Sequence, residues 1–140
     1  VRIEPLFLRV RAEIGADHPD YERRGYQAVL SNFKEEELPR YDTICFETTG
    51  ASAQLKWLLE ELEKLAVVLP VQVQADLPQC LERVHSRDTS IHIPVSDDRV
   101  EQINAIASKV QYPWAAQIDN RGAFDRSAIV ETIRALLEHQ

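Results

Sequence analysis

Methionine is absent from this chain, and glycine is scarce, with four residues in 140. Gly15, Gly25, Gly50 and Gly122 stand apart, and none precedes Lys-Ser or Lys-Thr, so no glycine-rich G-x-x-x-x-G-K-[ST] loop occurs. Cysteine is nearly missing. Cys45 and Cys80 form no C-x-x-C and have no Cys/His ligand spacing, which argues against zinc. Both sit among apolar residues and read as buried thiols of a cytosolic protein. Long apolar runs are missing too. The longest, Leu65-Ala66-Val67-Val68-Leu69, ends at Pro70 and is far too short to span a bilayer. Arg2, Glu4, Arg9 and Arg11 interrupt the first residues, so no signal peptide is visible. A basic excess is also absent. The net charge is −7, which disfavours non-specific nucleic-acid binding but leaves room for a local basic site. These absences predict a cytoplasmic protein with no membrane segment and no nucleic-acid partner.

What remains is an ordinary globular composition, 44% hydrophobic and 28% charged, of a length that fits one domain over residues 1–140. Residues 1–10 read as a strand or the end of a helix, with Pro5 against a central strand. Asp17-His18-Pro19-Asp20 starts a helix to about Glu36, with Tyr26, Val29, Leu30 and Phe33 at helical spacing. Ile44 to Phe46 reads as a short buried strand and Thr48-Thr49-Gly50 as the loop after it. Ala51 to Leu65 is a clear amphipathic helix with Leu55, Leu58, Leu59, Leu62 and Leu65 inward. Val67 to Ala75 is the next strand, and Asp76 caps a helix ending near Arg87. Residues 88–96 read as an ordered loop or lid. Ser96 or Asp97 caps a further helix that Tyr112-Pro113 ends. Trp114 to Ile118 is a last strand, Asp119-Asn120-Arg121-Gly122 a turn, and a final helix starts at Asp125 or Ser127. Strands that alternate with helices predict an α/β fold, a three-layer doubly wound parallel sheet with ligands at the carboxyl ends of its strands.

Three groups of residues could carry chemistry. Arg83 and Arg87 lie four apart on a predicted helix and could clamp a polyphosphate; a solvated helix end is the plainer reading. Glu47, at a predicted strand end, could hold Mg²⁺ through water or accept a proton from an attacking hydroxyl, with Thr48 and Thr49 touching a ligand. Here the plainer reading is a helix-capping loop. Arg23 and Arg24, with Arg40, could line a site for an anionic acceptor, or simply face water. His18, His85, His92 and His139 are scattered without ligand spacing, and His92 reads as structural.

From Tyr41 to Leu137 the chain resembles the P-loop kinase superfamily, the small nucleotide and metabolite kinases and the kinase-like ATPases near them. The stretch Tyr41 to Gly50 looks like that family's third strand and acidic loop. Val71 to Asp88, which carries Cys80-Leu81-Glu82-Arg83 and Arg87, looks like its strand and the helix whose arginines begin the lid over the nucleotide phosphates. Ile118-Asp119-Asn120 looks like the segment next to the nucleotide base. The resemblance implies a three-layer sheet of the P-loop NTPase type and an ATP-dependent phosphotransferase acting on a small molecule or nucleotide. It implies ATP and Mg²⁺, with Glu47, Arg83 and Arg87 catalytic, Arg23, Arg24, Thr48 and Thr49 at the substrate, and Asp119 and Asn120 at the nucleotide. The departure is the missing phosphate loop and the strand before it. Val1 in place of Met leads to the expectation that they lie upstream. A non-catalytic binding or regulatory module without that loop is the alternative.

Overall fold

The computed structural model describes residues 1–88, 92–122 and 125–138, which divide into two compact units. Unit 1 comprises Val1–Val67 with Asp88–Pro94, and unit 2 comprises Val68–Arg87 with Val95–Gln140.

Unit 1 is helical. Its first helix, α1 (Glu4–Ile14), uses Pro5 in the first turn, where the missing N–H costs no hydrogen bond. The opening residues are therefore a helix and not a strand. Helix α2 (Tyr21–Asn32) passes into a π-helical turn, Phe33–Glu37, and α3 spans Leu55–Glu63. Helices α1, α2 and α3 bring together Leu6, Val10, Tyr26, Val29, Leu30, Phe33, Leu55, Leu58 and Leu62, all buried. Phe7 stands edge-on to Tyr21 and Tyr26, with ring centroids 6.0 and 5.1 Å apart. It lies directly over Gly25, so α1 and α2 meet where α2 has no side chain.

Unit 2 carries β1 (Val71–Gln74), α4 (Leu77–Ser86), α5 (Asp97–Ala107), β2 (Ala116–Asp119) and α6 (Arg126–Glu138). β1 and β2 pair in parallel, with Val71 opposite Ala116 and Val73 opposite Ile118 on one face. Gln72 opposite Gln117 and Gln74 opposite Asp119 share the other face, where the Gln117 amide donates to Gln72 Oε1 at 2.9 Å. Buried hydrophobic residues are sparse here: among the described residues they are Val100 and Ile118.

This architecture corrects the predicted fold class. Among the described residues the sheet has two strands, which is not a three-layer doubly wound parallel sheet of the P-loop NTPase type. The strand expected at Ile44–Phe46 does not form. Three apolar residues bounded by Asp42 and Thr43 before and Glu47 after find no ladder partner, and Phe46 instead packs edge-on against Phe33 at 5.1 Å. Cys45 is consequently exposed and Cys80 half-buried, which corrects the expectation of two buried thiols. The strand expected over residues 67–75 is confined to Val71–Gln74, since Val67 is exposed and Pro70 has no N–H to donate. Asp119 closes β2 and does not begin the turn. Among the described residues no helix is long and apolar enough to cross a membrane.

Candidate functional site at the strand ends

In unit 2 the carboxyl ends of β1 and β2 lie side by side, and the backbone N–H of Asn120 extends the ladder to the Gln74 carbonyl at 2.8 Å. Helix α4 follows β1 directly and turns one face toward the chain leaving β2. Arg83 donates through Nη2 to the Asn120 carbonyl at 3.3 Å, and Gln79, one turn earlier, donates through Nε2 to the Arg121 carbonyl at 2.6 Å. Gln79 Oε1 is buried, with no hydrogen-bond partner among the described residues. Asn104 of α5 donates to the Ala75 carbonyl at 3.4 Å, which ties α5 to the turn between β1 and α4.

Asp119 and Arg121 form the most polarised part of this end. The Arg121 guanidinium grips both carboxylate oxygens at 2.8 Å, and its backbone N–H adds a third bond at 3.0 Å. The side-chain bond from Arg121, then its backbone bond, hold the Asp119 carboxyl down to about 2 and raise the guanidinium in turn. Asp119 is therefore anionic at any ordinary pH but occupied by its neighbour.

The two predicted clamp arginines do not share a helical face. α4 ends at Ser86, and Arg87 is extended (φ −83°, ψ 154°), so the four-residue spacing that would align it with Arg83 no longer applies. Gln79 is the residue that shares the Arg83 face. Sequence reasoning missed both Gln79 and Arg121. The signal for Gln79 was its place four residues before Arg83, and for Arg121 its place just after an acidic strand end.

The remaining candidates belong to unit 1. Glu47 is exposed on an extended stretch that is not a strand. Thr48 Oγ1 lies 3.2 Å from the Tyr26 hydroxyl. Burial raises the Tyr26 hydroxyl pKa, against the hydrogen bonds to Thr48 and Ser52. Thr49 Oγ1 accepts from the Ala51 N–H at 3.3 Å beside Gly50, whose φ of 74° turns the chain. Neither hydroxyl caps α3, whose N-cap Gln54 makes no side-chain capping bond. Arg23 pairs with Asp20 at 3.0 Å, Arg24 with Glu13 at 3.3 Å and Arg40 with Glu36 at 2.6 Å, all at the surface. Residues 88 and 92–94 of the predicted lid pack in unit 1. Thr89, Ser90 and Ile91 of that lid, and His139, lie outside the described residues.

Among the described residues no three His, Cys, Asp or Glu side chains come together as a metal site. Magnesium held through water at Glu47 would not need such a cluster, and no step is derived through one. The hollow lined by Ala105, Ile106, Lys109 and Val110 contains none of the candidate residues. Comparison of the chain with family models, with curated proteins and with solved structures finds no match.

Proposed function

We propose that the chain binds a phosphorylated small molecule, nucleotides included, at the carboxyl end of the β1–β2 pair. The observation that supports this reading is Arg83. Its guanidinium reaches from α4 to the strand ends and meets a neutral carbonyl there, so that contact leaves its charge uncompensated. Arginine binds phosphate oxygens through charge-assisted forks. Phosphoryl transfer from ATP is the further step that the resemblance implies. Its support is thinner, because Glu47 owed its role to a strand end and stands on no strand.

The test is thermal unfolding and NMR titration of the protein and Arg83→Ala with ATP, ADP and inorganic phosphate, with and without Mg²⁺. A bound ligand at about 100 times its Kd stabilises by about 2.7 kcal/mol. Loss of a charge-assisted bond worth about 1.5–3 kcal/mol weakens affinity about 10- to 150-fold in Arg83→Ala. No response to any of the three, or equal affinity in the variant, refutes the reading. Turnover of ATP that Glu47→Gln abolishes would extend it to a phosphotransferase.

A further inference from the structure

The last turn of α4 and the chain after it carry two imidazoles, each on a carboxylate. In α4, His85 Nε2 lies 2.7 Å from Asp97 Oδ1, both well exposed. Further along, His92 Nδ1 lies 3.0 and 3.2 Å from the two oxygens of Glu4, in the first turn of α1. This second contact joins residues 88 apart in sequence, and both side chains are 24% exposed.

The Glu4 carboxylate collects three kinds of donor. Arg2 donates to Oε2 at 3.1 Å, the backbone N–H of Ile93 donates beside His92, and His92 faces both oxygens. Burial would raise the Glu4 carboxyl, but the hydrogen bonds from Arg2, His92 and Ile93 outweigh it and hold the group below its ordinary range. Glu4 is thus charged wherever imidazole titrates. Arg2 is always cationic and the Ile93 amide never is. Of these three donor types only an imidazole can change charge within the physiological range. Arg87 and Asp88 are the other ionisable groups among the described residues between α4 and α5.

We propose that His92 is a proton sensor that fastens residues 92–94 onto the first turn of α1. As imidazolium it gives Glu4 an N–H and a positive charge. As neutral imidazole it gives no charge, and its Nδ1 faces the carboxylate with a bare lone pair whenever the proton sits on Nε2. The hold is therefore complete on the acid side of the imidazole range and weakens as pH rises through it. Its acid limit is protonation of Glu4. The His85–Asp97 contact is exposed and solvent-screened, so it contributes little.

Hydrogen exchange of the Ile93 amide reads this contact, because that N–H donates to Glu4. After correction for intrinsic rates, protection in the unmodified chain should be severalfold greater at about pH 5.5 than at about pH 7.5, on either side of the imidazole range. His92→Gln should abolish the difference, and Glu4→Gln should lower protection at both values. Amides inside α1 report whether a variant still folds, and they should be unchanged. Equal protection at both pH values overturns the proposal. So does a pH dependence that survives His92→Gln and disappears in His85→Gln, since the sensor would then be His85.

Discussion

Gly25→Ala tests how α1 and α2 are held together. In an exposed helix the change stabilises by about 1 kcal/mol, because glycine has the higher backbone entropy to lose. Gly25 is buried in α2 and has no positive φ that alanine would resist. The obstacle is steric: a Cβ built there would lie 2.3, 2.5 and 2.8 Å from three ring atoms of Phe7. Such approaches are impossible, so the ring must move. It is fixed edge-on between Tyr21 and Tyr26, and moving it gives up contacts worth about 0.5–1.5 kcal/mol each. Overpacking of this kind costs about 1–3 kcal/mol. Set against the helix-propensity gain, the net expectation is a loss of up to about 2 kcal/mol. For a unit of this size that lowers the Tm by up to about 15 °C. Urea and thermal unfolding followed by far-ultraviolet circular dichroism measure it. The decisive variant is Phe7→Leu, which removes the ring. In that background Gly25→Ala should be neutral or stabilising by up to about 1 kcal/mol, a coupling that a double-mutant cycle reports. Gly25→Ala about 1 kcal/mol more stable than the parent, with Phe7 in place, would refute the packing argument.

The other perturbations separate core from surface and isolate one ion pair. Leu58 is 0% exposed at the centre of unit 1, so Leu58→Ala should cost about 2–5 kcal/mol in urea unfolding, whereas Val67→Ala, at 73% exposure, should stay within about 0.5 kcal/mol. The Asp119 carboxyl, depressed from 3.8 to about 2 by Arg121, should titrate there by NMR and return toward 3.8 in Arg121→Ala. Because its folded value is the lower one, its contribution to stability is present above about pH 3.8 and is lost as pH falls through about 2.

Much of the helical content was legible in the sequence. The leucines of α3 and the apolar positions of α2 repeat at helical spacing, and a helix needs only its own backbone to satisfy its hydrogen bonds. Strands were less legible for the complementary reason. A strand exists only where a partner supplies the other half of the ladder, and Ile44–Phe46 has none. Its apolar residues are instead used by the helices, as Phe46 on Phe33 shows. The site was legible in part. Arg83 could be singled out from its place after a strand, but the residue that shares its helical face is Gln79 and not Arg87, because α4 stops one residue short of Arg87.

The scarce glycines of this chain illustrate the division. The sequence by itself determined that no glycine-rich phosphate loop occurs between Val1 and Gln140, that the charge is acidic and that several segments carry amphipathic helical periodicity. Those properties are local or additive, so they can be counted along the chain. Only the tertiary structure decided that Gly25 is the seat of Phe7, that β1 pairs with β2, and that Arg83, Gln79, Asp119 and Arg121 meet at one edge. It also decided that His92 lies on Glu4. Each of these depends on which distant segments come into contact, and a side chain's neighbours across space are set by packing rather than by spacing.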